Sequence, residues 1–412
     1  GDLPMAFLHD GRPPVVREAT WEPPASDLKS RIVPEGSRDD ELLRDPNKML
    51  LAILGDLDVC SKESIVRQYD HEVQGGSVVK PLVGVNEDGP SDAAVVRPDL
   101  NSNRGLVISN GIATRLGDWD PAAMAACAID EAVRNAVAVG ADPDKIAILD
   151  NFCWGDTDDP AVLGSLVRAA LACQETAVAY GTPFISGKDS LKNFFRKDLP
   201  DGGSEKVDIP PTLLISAIGQ IEDVNKAVTM DLKEPGNVLI LLGTTYGRDL
   251  LGAAFDRHAR GSYSGECHFP KLLTDRSSVL EEARGRYRTV YRLIRQGLVR
   301  SCHDLSEGGL AVAAAEMAFA GGVGAELNTS PIRGGDSHAV LFAESPARFL
   351  LEVRPSALSR LSRLVEPPWL TLAFVGHTTG SDRLVAKVKE EPVIDLPLAD
   401  LKAAWQAPLR EL

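Results

Sequence analysis

The sequence predicts an α/β protein made of two consecutive sheet-and-helix units, on three observations. Between about residues 76 and 220, short β-type runs alternate with long helix-type runs. From about residue 221 a second block alternates again with a different set of elements. A chain of 412 residues also exceeds what one ordinary hydrophobic core organises, so two domains are expected.

Residues 1 to 45 are rich in Pro and charge and hold no period of 2 or 3.6, which reads as a linker or a wrapping extension. The abrupt apolar opening "LPMAFLHDG" suggests a cut within a longer polypeptide. In "DPNKMLLAILG", Asp45 is placed to cap a helix, Pro46 sits in its first turn, and an apolar stripe follows. Val78 to Val85, Ala93 to Arg97 and Leu106 to Asn110 have the composition of strands. The next helix is expected to be capped by Asp120 and to end at Gly140. "KIAILD" reads as a buried strand, and a second helix built by the same rule runs from Asp159 and Pro160 to Gly181. "PFISG" and "TLLISAIG" complete the first unit, residues 46–220. The second, residues 221–395, holds the strand "NVLILLG", the amphipathic helix "RSSVLEEARGRYRTVYRLIRQG" and the small-residue helix "SEGGLAVAAAEMAFAGG". "RFLLEV" and "TLAFVGHTTG" read as its last strands, leaving 396–412 as a tail. No short-period repeat is found.

Apolar residues at 44% and charged residues at 25% fit a soluble globular protein. A net charge of -15 repels phosphate backbones, which argues against a nucleic-acid partner. It does not exclude a nucleotide, because a divalent cation can bridge carboxylates to phosphates. The six cysteines are scattered without metal spacing, which fits a reducing compartment. Cys127 and Cys173 fall in apolar helical stretches and read as small core residues. No signal peptide and no membrane-spanning run is recognised, so the expected location is the cytoplasm, without a membrane partner.

Six places along the chain could carry chemistry. Glu131 and Asn135 lie four apart, so a helix presents both on one face, where a carboxylate and an amide oxygen suit a hard cation such as Mg²⁺. The bland reading is a solvated face with an ion pair to Arg134. Asp92 stands where a turn becomes a strand and is either a ligand or an Asx-turn residue. In "CHDLSEGGLAVAAAEMA", Asp304, Ser306 and Glu307 precede two glycines and a helix, the arrangement of a phosphate-attracting helix start or of an ordinary cap at Ser306. His303 is a proton carrier or a structural hydrogen-bonder. "FISGKDSL" lacks the upstream Gly of a phosphate loop, yet Lys188 at a strand end could meet a phosphate. "ILDNFCWGDTDDP" is expected to form a polar loop containing Gly155, with Cys153 lacking a base. Lys62 reads as a phosphate contact or a surface charge. Protease, hydrolase and Rossmann signatures are absent from the sequence.

Taken together, "RQYDHEVQGGSVVKPLVG", "DEAVRNAVAVGADP", "DNFCWGD", "GTPFISGKDSLKN", "IPPTLLISAIGQIEDV" and "CHDLSEGGLAVAAAEMAF" resemble the second half of phosphoribosylformylglycinamidine synthase. The similarity runs in order from about residue 50 to 330 and more loosely to about 395. "FLHDGRPP" resembles the segment just before that half. The resemblance implies a tandem like that of aminoimidazole ribonucleotide synthetase, with a first domain whose sheet pairs into a barrel and a C-terminal α/β sandwich. It implies ATP or ADP with Mg²⁺ held by Asp92, Glu131, Asn135 and Asp304, and nucleotide contacts at Lys62, Ser91 and Ser306. It further implies a ligase that converts formylglycinamide ribonucleotide to the amidine with ATP and glutamine. The partners would be the first half, with its catalytic His, and a glutaminase domain. The alternatives are a non-catalytic structural module of that enzyme and another ATP-using enzyme of the superfamily acting as a homodimer.

Overall fold

The computed structural model describes residues 1–11, 15–23, 42, 44–200, 202–247, 249–250, 252–259, 276–332, 339–365 and 370–410. Two sheets form its frame. The first holds six strands, β1 (Ser77–Val79), β2 (Ala94–Val96), β3 (Gly105–Ile112), β4 (Ala147–Cys153), β5 (Phe184–Ser190) and β8 (Thr212–Ile221), in the order β1-β2-β3-β8-β4-β5. All its neighbours are antiparallel except β4 and β5, which are parallel. That pair needs a crossover, which helix α3 (Pro160–Tyr180) supplies. The strands β6 (Phe194–Asp198) and β7 (Ser204–Asp208) form a separate hairpin.

One face of this sheet is covered by α2 (Pro121–Ala138), on which α3 packs in turn. Both helices start as the sequence predicts: Asp120 accepts from the Ala122 N–H and Asp159 from the Ala161 N–H, both at 2.8 Å, with Pro in each first turn. Each cap is worth about 1 kcal/mol. Of the 18 residues of α2, 16 are buried, because its many Ala and Val side chains let the sheet and α3 approach from two sides. Gly111 is one cause of that closeness. A Cβ there would lie 2.2 Å from the Ala128 carbonyl oxygen, so only glycine lets α2 rest on β3.

The second sheet runs β10 (Ser301–Asp304), β12 (Phe349–Val353), β9 (Val238–Leu242), β13 (Leu372–Thr379), β11 (Gly324–Asn328), β14 (Arg383–Val388) and β15 (Glu391–Pro397). Only β11 and β14 are parallel neighbours. Helix α5 (Gly309–Gly321) is buried along its whole length and packs on β10, β11, β12 and β14. Helix α4 (Arg276–Arg295) lies against α2 and α3 and so joins the two units.

Several expectations are corrected. The strand expected over Val78 to Val85 stops at Val79, and an isolated bridge from Val83 to Gly89 follows. Asp150 to Cys153 and Lys188 to Ser190, expected in loops, extend β4 and β5 by pairing with each other. The strands β14 and β15 lie beyond the two expected to be last. The stretch 396–412, expected as a tail, carries helix α6 (Leu398–Gln406), which buries Leu398, Leu401 and Trp405. It packs on α1 (Pro46–Leu54), whose Asp45 cap accepts from the Asn47 and Lys48 N–H groups. Within 1–45, Met5–Asp10 forms a short helix, and residues 15–23 cross α3, where the Thr20 N–H donates to the Pro160 carbonyl at 2.9 Å. Much of that segment (12–14, 24–41 and 43), with the start of the helix string at 276–278 as regards side chains, lies outside the described residues. Helix α3 is also long and apolar enough to cross a membrane, against the expectation from sequence. Here it is one layer of the fold, burying Ala169, Ala172, Cys173 and Tyr180.

Candidate functional site

Helix α2 carries two pairs of polar residues, each pair spaced i, i+4 and offset by one position. Successive residues turn by about 100° on a helix, so the pairs face different neighbours. Glu131 and Asn135 look past β3 into a cleft of about 630 Å³, while Asp130 and Arg134 point into the seam between the two units. Strand β10 brings Asp304 to the same cleft, and the turn before β2 brings Asp92.

The four residues singled out as cation ligands therefore line one space, together with Lys62, Ser91 and Ser306. Asp92 Oδ1 accepts from the Asp304 backbone N–H at 2.9 Å and lies 2.9 Å from His303 Nδ1. Its Oδ2 is buried and has no hydrogen-bond partner. Asn135 Nδ2 donates to the Asn110 carbonyl at 3.1 Å, leaving Oδ1 buried and equally unpartnered. Glu131 Oε2 accepts from the Ile112 N–H at 2.9 Å. Burial first, then the carboxylates of Glu307 and Asp304, push the Glu131 carboxyl well above its ordinary range. A carboxyl so placed costs energy to ionise unless a positive charge shares the cleft. Two orphaned buried oxygens and two further carboxylates form an all-oxygen donor set, the chemistry a hard divalent cation requires.

His303 is a hydrogen-bonding strut. Its Nδ1 meets Asp92 and its Nε2 lies 3.0 Å from Glu316 Oε2. Burial works to lower its pKa, but Asp92 and Glu316 outweigh that and hold it well above the ordinary value. Both ring nitrogens are engaged, so His303 offers no free nitrogen as a base. Asp92, His303 and Asp304 can bring one ligand atom each within 4.8 Å of one another.

The start of α5 departs from the expected cap. The helix begins at Gly309 behind Gly308, and both glycines have left-handed backbones, at φ +61 and +74. Ser306 does not cap it; its Oγ donates to Asp304 Oδ2 at 2.5 Å and accepts from Arg134 Nη2 at 2.7 Å. The Gly308 N–H, expected to be free for phosphate, donates to Glu344 Oε1 at 2.7 Å. Burial, with the neighbouring Glu307 charge, pushes the Glu344 carboxyl up to about 8, and burial pushes Glu307 up to about 7.

Lys62 lies in the cleft with Nζ on the Cys60 carbonyl at 2.5 Å, and Ser91 Oγ donates to the Ala93 carbonyl at 3.0 Å. Gly155 and Lys188 are not brought to it. Gly155 packs against Asp208 of the β6–β7 hairpin, and Lys188 is exposed on the edge strand β5, donating to Ser190 Oγ. They miss because β4 and β5 stand on the far side of β8 from β3, which borders the cleft.

From sequence Arg134 reads only as an ion partner of Glu131, and Asp130, Glu316 and Glu344 do not stand out. Arg134 instead pairs with Asp130 and donates from Nε to Asp304 Oδ2 at 3.1 Å. The signal that could have found it is a second charged i, i+4 pair inside a helix otherwise made of apolar and small residues.

This architecture, a sheet-and-helix domain followed by a second one with the cleft between them, is that of the AIR synthase related proteins. The N-terminal domain of that family matches residues 90–221 and the C-terminal domain residues 234–389, and the chain belongs to the family. Among curated relatives, the phosphoribosylformylglycinamidine synthase subunit PurL of Alkaliphilus metalliredigens is 31% identical over 415 residues, covering 100% of this chain and 51% of the relative. The chain thus spans about half the length of the curated relatives it matches. Among solved structures, T. maritima PurL complexed with FGAR superposes with a TM-score of 0.63 at 18% identity, covering 88% of this chain and 54% of that one. The same protein complexed with ADP gives 0.61 at 17%, covering 88% and 52%. At those identities the likeness is one of fold.

Proposed function

We propose that this chain is a nucleotide-binding half of a phosphoribosylformylglycinamidine synthase, and that its cleft holds ATP or ADP with Mg²⁺. The observation that carries this reading is the pair of buried, unpartnered oxygens, Asp92 Oδ2 and Asn135 Oδ1, in one cleft with Glu131 and Asp304. Asp92, Glu131, Asn135 and Asp304 would hold the cation. Lys62, Ser91 and Ser306, which line the same cleft, would meet the nucleotide. Bound Mg²⁺ would supply neutralisation of phosphate charge. The chain's own part is to fix the donors: Asp92 is held by the Asp304 N–H and His303, Glu131 by the Ile112 N–H, and Asn135 by the Asn110 carbonyl. Gly155, in the bend after β4, and Lys188, on the edge strand β5, do not line this cleft.

In the whole synthase the reaction would take formylglycinamide ribonucleotide, ATP and glutamine to formylglycinamidine ribonucleotide, ADP, phosphate and glutamate. The first half and a glutaminase domain or subunit would be the partners. The relatives' name and the string resemblance support this assignment, as does the bound ADP of a structural neighbour. One feature favours a second reading, in which this half binds nucleotide without turning it over. The cleft's histidine has both nitrogens committed to carboxylates and cannot act as a base.

Titration of the chain with ADP in the presence of Mg²⁺ tests the first reading. Saturable, Mg²⁺-dependent binding is expected, and Asp304→Asn should weaken it by at least about tenfold, roughly 1.4 kcal/mol. Binding that ignores both Mg²⁺ and this substitution would remove the reading. Turnover by the chain combined with the missing half separates the two roles. A normal rate in Asp304→Asn despite lost nucleotide assigns a structural role.

A further inference from the structure

A residue outside the donor set controls how one donor is presented. Arg134 is buried and divides its guanidinium among three acceptors: Nε to Asp304 Oδ2 at 3.1 Å, Nη2 to Ser306 Oγ at 2.7 Å, and Nη1 to Asp130. Asp304 Oδ2 also accepts from Ser306 Oγ, so that oxygen is fully occupied. Only Oδ1 remains for a ligand.

Asp130 is in turn held from three directions. Its Oδ1 accepts from the Tyr180 hydroxyl of α3 at 2.6 Å and from the Tyr287 hydroxyl of α4. Its Oδ2 accepts from the Ala347 N–H at 3.1 Å, at a residue with a left-handed backbone, φ +55. The two tyrosine rings brace each other edge to face at 5.5 Å. The carboxylate that aims Arg134 is thereby fixed to both units.

We propose that Arg134 is a positioning residue that makes Asp304 a one-oxygen ligand and so tunes the cleft to a small octahedral cation over a larger one. The proposal rests on the functional reading above. Mg²⁺ takes near-octahedral sites with single oxygens at 2.0–2.1 Å, whereas Ca²⁺ accepts six to eight oxygens and readily takes a carboxylate by both. Freed from Arg134, Asp304 can offer Oδ1 and Oδ2 together. A residue that merely braces the fold would weaken binding of both cations alike.

The test measures ADP affinity of the full 412-residue chain with Mg²⁺ alone and with Ca²⁺ alone, in the unsubstituted protein, Arg134→Met and Tyr180→Phe. The second variant loosens Asp130 without burying a new unpaired charge, and it stands in if Arg134→Met does not fold. Arg134→Met is expected to shift the Mg²⁺-to-Ca²⁺ affinity ratio toward Ca²⁺ by about tenfold or more. Tyr180→Phe should give a smaller shift the same way, and Arg134→Lys should restore part of the ratio. An unchanged ratio in the folded variants overturns this inference and leaves the functional reading standing. Absence of cation-dependent ADP binding in the unsubstituted chain overturns both.

Discussion

The two sheets solve the same covering problem differently. In the second sheet β9, β10 and β12 are buried on both faces, with every residue of β10 and β12 out of solvent. In the first, β3 and β8 alternate, one face under α2 and the other open. The open face is not wholly polar: beside Asn110 and Gln220 it carries Ile108, Ile112 and Ile218, 47%, 36% and 38% exposed. A sheet that spends isoleucines on solvent carries a surface made for something else to cover.

The largest expected effect lies in the closed sheet. Leu350→Ala, in a strand buried on both sides, should cost about 2–5 kcal/mol in urea unfolding, since the cavity has no face onto which to collapse. A loss under about 1 kcal/mol would mean the two sheets are equally tolerant and the contrast false.

A smaller effect is expected where the units meet. A carboxyl whose folded-state pKa is raised binds its proton more tightly folded than unfolded. The stability it lends is complete below its ordinary value of 4.5 and lost as pH rises through the folded value. Glu344, pushed up to about 8, sets that window at about pH 4.5 to 8. Without divalent cation, the thermal midpoint should fall across the window by less than Leu350→Ala lowers it. Glu344→Gln, which keeps an acceptor for the Gly308 and Ala254 N–H groups, should flatten the slope. An identical slope in that variant would assign the pH dependence to other groups.

The smallest stability effect belongs to the open face. Ile218→Asp should change unfolding free energy by less than about 1 kcal/mol, because the side chain is already part-solvated. The chain alone should associate as its concentration rises in light scattering, and this substitution should suppress that. Association unaffected by a charge at its centre would show that the bare sheet is not the sticky surface.

Local signals wrote much of this legibly. Asp45, Asp120 and Asp159, each followed by Pro, start helices where they stand, because a side chain capping the next turn needs no distant help. Glu131 and Asn135 share a face because helix geometry alone puts them there. What stayed hidden depends on the partner across a gap. Ser306 looks like a cap, yet its hydroxyl is taken by Asp304 and Arg134 from other elements. Lys188 and Gly155 look like ligands at strand ends, yet strand order, which no local pattern states, sets them on the wrong side of the sheet. The strand β15 is hard to read because it ends the sheet and alternates weakly, as in "EPVIDLP", whereas β14, between β11 and β15, alternates in burial along "RLVAKV" and carries a signal that went unused.

Helix α6 bears on how the chain comes off the ribosome. Trp405 donates its indole N–H to the Val59 carbonyl at 3.0 Å, its own carbonyl accepts from the Ser61 N–H at 2.9 Å, and Asn47 bonds with Val393 and Asp395. Helix α1 therefore waits for residues made some 350 positions later. Until they emerge, Met49, Leu50 and Ile53 have no finished shelter, and a stalled or truncated nascent chain presents them to chaperones or to aggregation.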